Sequence, residues 1–252
     1  MGRRLAIGLW ALLAAAAASS SGALAQRSSL VADLSSHLIA IDSGFTGTEV
    51  LLYGAVDEPG DLIVVVRGPA ERVVVRRKDR VAGVWMNRDS IVFDRVPAYY
   101  AVAATRPLAE IARPALLSLH QIGIDAVRLT TPLTDRPADE IETFRKALVR
   151  QRTRDGLYSG TPGKVGFLGE RLFRTRISFP AEVPTGNYRA EVFLIRDGAV
   201  VSAETTPLFI NKTGFQAEVA FIARTRPALY GLAAILMALA AGWLAAAVFR
   251  KV

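Results

Sequence analysis

The chain has 252 residues, of which 51% are hydrophobic and 21% charged, a balance too apolar for a disordered polymer and sufficient for one or two packed cores. Cysteine is absent and histidine occurs twice, which excludes disulfides, thiolate metal sites, iron–sulfur clusters and cysteine nucleophiles, and leaves almost nothing for a His-rich centre. The formal charge of +8 acquires meaning only after it is assigned to segments.

The first 25 residues have the layout of a secretory signal peptide. Arg3 and Arg4 precede an uncharged apolar run, and Ala23 and Ala25 supply the small residues before a cut after Ala25. The mature chain then starts at Gln26, with 29 basic against 23 acidic residues.

Short β-branched and aromatic runs follow at 38–41, 49–56, 62–67, 72–77, 81–86, 90–93 and 99–104. Gly44-Phe45-Thr46-Gly47, Glu58-Pro59-Gly60, Gly68-Pro69, Lys78-Asp79-Arg80 and Arg95-Val96-Pro97 punctuate them as turns. Strands this closely spaced pair antiparallel, without βαβ crossovers. Within this region Arg72, Arg76 and Lys78 share one strand face if Val73 and Val75 seek the core. With Arg67 and Trp85 they form a cationic candidate site for an oxyanion, a lipid headgroup or an acidic partner. A solvated edge strand guarded by its charges has the same appearance.

The period then changes. Leu108, Ile111, Ala115, Leu119 and Ile122 predict a helix that Pro114 kinks or restarts. A second helix follows Pro137, with Asp139 and Glu140 in its first turn, basic residues towards its end, Ile141, Phe144 and Leu148 on its buried face, and Gly156 as its stop. Strands resume at 164–168, 171–179, 188–196 and 200–210. The run Pro184-x-Gly186-x-Tyr188 and the Asp197-Gly198 turn are similar to the later strands of an immunoglobulin-like sandwich.

The fold class is therefore mainly β: immunoglobulin-like antiparallel sandwich region(s) with a helical insert and a C-terminal transmembrane helix. The expected division is signal peptide 1–25, N-terminal β lobe 26–106, helical insert 107–158, C-terminal β lobe 159–213, juxtamembrane helix 214–226, transmembrane helix 227–249 and tail 250–252. Two small lobes are preferred, with a single composite sandwich as the alternative.

Residues 227–249 carry no charge and are long enough, at about 1.5 Å per residue, to cross a bilayer core with some tilt. Ala234, Ala238, Gly242 and Ala246 recur every fourth position and form a small-residue ridge suited to helix packing. Basic residues flank both ends, so the expected export of the signal peptide decides orientation. The reading is a single-pass protein of the bacterial inner membrane with its bulk in the periplasm and its C-terminus cytoplasmic. The exported part keeps 27 basic and 23 acidic residues, too even a balance for nucleic acid.

His37 and His120 lie in separate elements, and nucleophile-elbow, zincin, P-loop and dinucleotide motifs are absent. Asp139, Glu140 and Glu142 are better explained by a helix start than by acid–base chemistry. No cofactor, no metal and no enzymatic activity are expected.

One family resemblance runs over nearly the whole mature chain. It is carried by Gly44-Phe45-Thr46-Gly47, Val66-Arg67-Gly68-Pro69, Gly83-x-Trp85-x-Asn87, Pro97-x-Tyr99-Tyr100, Gly156-Leu157-Tyr158, Pro184-x-Gly186-x-Tyr188 and Gly242-Trp243. These resemble the uncharacterised alphaproteobacterial transmembrane protein family, whose members tend to be encoded beside permeases of the sulfite-exporter type. The resemblance implies a non-enzymatic accessory or binding subunit partnered with an integral membrane transporter of sulfur oxyanions or similar anions, and it offers no catalytic residues to carry over. An envelope structural or assembly factor acting through protein contacts is the alternative. A homo-oligomer is compatible with either.

Overall fold

A computed structural model describes residues 29–81, 83–132, 136–213 and 223–249. The expected signal peptide, residues 214–222 of the expected juxtamembrane helix and the tail 250–252 lie outside the described residues.

The strands in chain order are β1 (Leu30–Leu34), β2 (Leu38–Ile41), β3 (Gly47–Val56), β4 (Asp61–Arg67), β5 (Ala70–Val81), β6 (Val84–Pro97), β7 (Tyr100–Ala104), β8 (Gly163–Lys164), β9 (Gly166–Leu168), β10 (Leu172–Pro180), β11 (Gly186–Arg196) and β12 (Ala199–Lys212). The helices are α1 (Leu108–Ile111), α2 (Pro114–Leu119), α3 (Ala138–Arg154) and α4 (Pro227–Phe249), with a 3₁₀ turn at Ile124–Ala126. The fold is mainly β.

Two sheets enclose one core. The first has the order β1-β3-β10-β9 and the second β2-β12-β11-β4-β7-β8. Along β10, Phe173, Thr175, Ile177 and Phe179 point inward while Leu172, Arg174, Arg176 and Ser178 point out, the alternation of a sheet wetted on one face. By contrast, β4 is buried from Leu62 to Val66. Its continuous apolar run suits a central strand covered by the first sheet on one side and on the other by the segment that buries Ile122 and Val127.

Both sheets join strands from either side of the helices. β3 pairs with β10 from Gly47↔Pro180 to Ala55↔Leu172, and β4 pairs with β11 from Asp61↔Ile195 to Arg67↔Arg189. The preferred division into two lobes thus gives way to the composite arrangement. Because β3 and β4 each take a neighbour from beyond the helices, each half covers the other's apolar face.

The stretch 70–97 also differs from its sequence reading. It forms one long ribbon in which Val81 pairs with Val84, so the chain reverses between them and Gly83 takes φ +87. Lys78-Asp79-Arg80, expected as a turn, lies within β5. Its polarity reflects a strand with solvent on both faces. The ribbon's base is held by a separate cluster of Ile91, Phe93, Val96, Phe144 and Leu148, against which Val73 and Val75 pack. Helix α3 supplies Phe144 and Leu148 as expected, and Gly156 follows its end with φ +71. Of the two outcomes expected at Pro114 within 108–122, the chain takes the restart: α1 ends at Ile111 and Pro114 opens α2 at its N1 position. Strand β1 carried too little turn punctuation to be recognised in the sequence.

Candidate functional site: an arginine-lined groove

Strand alternation builds the site. Tyr188, Ala190 and Val192 of β11 enter the core, which turns Arg189, Glu191 and Phe193 to the opposite face of the second sheet. Arg67 of β4 stands opposite Arg189 on that face. The segment 120–130 passes over it, and the ribbon's base contributes Arg95. Together they bound a groove of about 1000 Å³.

Arg67 is the groove's structural cation. It forms an ion pair with Glu191 and donates to the carbonyl oxygens of His120 at 2.6 Å and Gln121 at 3.2 Å, with its guanidinium 5.9 Å from the Tyr100 ring centre. Burial lowers its pKa from the ordinary value, yet the chemistry of guanidinium keeps it charged. The Tyr100 hydroxyl donates to the same Gln121 carbonyl at 2.8 Å and accepts from the Gly123 N–H at 2.9 Å. Burial pushes that phenol up to about 12, against the opposing pull of Arg67, so it remains a donor at neutral pH. The His120 ring rests 5.2 Å from that of Phe193.

Arg95, Arg128 and Arg189 are exposed along the groove, and among the described residues no carboxylate lies within ion-pair reach of them. Two backbone positions bordering it, Arg95 at φ +57 and Gln121 at φ +53, are left-handed without being glycine, a conformation that surrounding contacts must hold. The groove can therefore receive an anion through three guanidinium groups on a wall fixed by Arg67 and Tyr100.

The structure separates the residues that the sequence grouped. Arg67 belongs to this groove and not to the ribbon's cationic face. On the ribbon, Val73 and Val75 face the core cluster while Arg72, Arg76 and Lys78 are exposed, the register expected from alternation. Arg72 is paired with Asp94 at 3.1 Å, and Trp85 is 68% exposed near the tip. His37 has a carboxylate neighbour that the sequence reading missed, Asp33 Oδ1 at 2.9 Å from its Nε2. Among the described residues no group of three His, Cys, Asp or Glu is placed to hold a metal. Arg95, Arg128 and Arg189 were missed because they come from three distant segments. The Arg189-x-Glu191 alternation on β11 was the one local signal available.

Ala234, Ala238, Gly242 and Ala246 are all exposed on α4, and a Cβ at Gly242 would meet no atom within 4 Å. Residues Pro227–Ala246 have a mean hydropathy of 1.9 and are 0% buried, so this helix is long and apolar enough to cross a membrane. The family described as "Putative transmembrane protein (Alph_Pro_TM)" matches residues 29–251. The chain belongs to that family. The match begins just before β1 and continues through α4, so the family's extent includes both the sandwich and the apolar helix. None of the curated proteins matches the chain.

Proposed function

We propose that this family member is a non-enzymatic, membrane-anchored accessory or binding subunit of an integral membrane transporter, and that its groove receives sulfur oxyanions or similar small anions. The observation that carries the reading is the presence of Arg95, Arg128 and Arg189 along one groove whose fourth arginine, Arg67, is already neutralised by Glu191. Arginines drawn from three segments onto one groove suit an oxyanion, which accepts several hydrogen bonds at once. The apolar helix with its uncovered small-residue ridge supports association with a second membrane helix. In this proposal the signal peptide sends residues 26–226 to the periplasmic side of the bacterial inner membrane, and the last residues stay in the cytoplasm.

The test combines two measurements on the full chain in lipid nanodiscs and in native membranes. Calorimetric titration with sulfite and sulfate should give binding that Arg128→Ser with Arg189→Ser weakens by about tenfold or more, and that rising salt also weakens. Crosslinking from native membranes should recover a permease. An absence of anion binding together with recovery of envelope machinery favours the assembly-factor reading. That reading has its own support in the free edge strand β9, where Phe167 and Leu168 are exposed and could be met by another protein's strand.

A further inference from the structure

The β5–β6 ribbon is a membrane-touching arm, and the chemistry of its tip points to a bilayer surface bearing acidic headgroups; this we propose independently of the groove's ligand and of the compartment in which the sandwich lies. The ribbon continues the β4–β7 ladder. The Gly68 N–H donates to the Tyr99 carbonyl and the Ala98 N–H to the Pro69 carbonyl, each at 2.8 Å, before Ala70 pairs with Pro97.

Its direction follows from pairing. Strands β4 and β12 are both antiparallel to β11, so they run the same way, and Arg67 lies level with Arg189 and Pro207. The ribbon therefore leaves the sandwich at the end where β12 finishes, and from there the sequence proceeds to the apolar helix α4. Among the described residues, helix α3 and Arg136 just ahead of it brace the ribbon from Glu71, beside Arg152, as far as Arg77, which lies over the Phe144 ring opposite Asp89, and leave the end from Lys78 to Asn87 unbraced. At about 3.3 Å per residue the 12 residues of β5 span about 40 Å, of which the last four, beyond Arg77, form a free tip of about 13 Å.

The tip sets apolar residues and cations side by side. Val84, Trp85 and Met86 are 63%, 68% and 52% exposed, adjacent to each other at the reversal. Behind them stand Lys78, Arg80 and Arg88, with Asp79 as the acidic member, paired to Arg88 at 3.2 Å. An apolar point bearing an indole and backed by cations matches the depth profile of a bilayer interface. The acyl boundary takes the hydrocarbon, the carbonyl region takes the indole, and anionic headgroups take the cations. A chain that carries its own apolar membrane helix keeps such a surface at hand, so the arm pays little entropy to find it.

Because the chain has no cysteine, a single Val84→Cys variant can be labelled with an environment-sensitive fluorophore in the full-length protein. The control label goes at Ala199→Cys, on the opposite end of the sandwich. In nanodiscs containing phosphatidylglycerol and a lipid with an acyl-chain nitroxide, the label at 84 should be blue-shifted and quenched, and the label at 199 should be neither. Changing one of Lys78 or Arg80 to Ser should lower the ratio of bound to unbound tip about fivefold in these discs, and zwitterionic discs should show the weaker state without any substitution. Both positions are exposed, so folding should survive, and an unchanged urea midpoint confirms it. Equal quenching at 84 and 199, or quenching at 84 indifferent to lipid charge and to these substitutions, overturns the proposal. Protection of position 84 only when a partner protein is added would assign the tip to that protein instead.

Discussion

Arg67 and Glu191 meet diagonally across the β4–β11 pair: Arg67 stands opposite Arg189 while Glu191 stands opposite Val65, and the guanidinium reaches over to the carboxylate. Side-chain exposures of 15% and 22% leave the pair screened only in part. Removing the cation would strand Glu191 and release the carbonyls of His120 and Gln121. Arg67→Met should cost about 2–3 kcal/mol in urea unfolding, and Glu191→Gln, which keeps an acceptor, about half that.

Tyr100→Phe tests the groove wall directly. The substitution keeps the ring and deletes two hydrogen bonds, to the Gln121 carbonyl and from the Gly123 N–H. A loss of about 1–2 kcal/mol is expected, with faster amide exchange confined to residues 120–123. Hydrogen exchange on this variant and the parent measures both.

Gly54 marks the closest approach in the first sheet. A Cβ there would lie 2.2 Å from the Val31 carbonyl oxygen and 2.5 Å from the Phe173 ring, so β1 or β10 must move. Gly54→Ala should destabilise the protein by about 3 kcal/mol, whereas Gly166→Ala, with open space around it, should change stability little. Thermal melting of the two variants separates them.

Asp61 sets part of the acid limit. The Arg106 hydrogen bond, helped by Thr105 and opposed by partial burial, holds its carboxyl below the ordinary value of 3.8. A lowered folded pKa contributes stability that is complete above the unfolded value and disappears as pH falls through the folded one. The parent should therefore lose more stability between neutral pH and strongly acid pH than Asp61→Asn does. Urea midpoints across that range check it, and parallel curves would refute it.

The ridge on α4 predicts association. Replacing Ala238 and Gly242 with Leu keeps the span apolar but blocks close helix approach, so membrane insertion should persist while crosslinked partner or self-associated species diminish. Unchanged crosslinking yield would reduce the ridge to alanine-rich composition.

Local rules were enough for several features. The alternation of Phe173, Thr175, Ile177 and Phe179 fixed which face of β10 is buried, the Asp197-Gly198 pair set its hairpin with φ values of +51 and +74, and Pro184 with Tyr188 closed a corner in which the Tyr188 hydroxyl donates to the Pro184 carbonyl at 2.5 Å. The uncharged run 227–249 likewise declared the apolar helix, because length and hydropathy are properties of a contiguous segment. Sheet partnership is different, since Gly47 finds Pro180 and Arg67 finds Arg189 only after the intervening chain has closed on itself. The same non-local closure decided that the two β halves share a core. It also took Arg67 away from the ribbon's cations and gave it to Glu191, and it brought Arg95, Arg128 and Arg189 to one groove. A period of two tells each side chain which face it occupies, but which strand lies alongside is chosen by the burial that the whole sheet achieves.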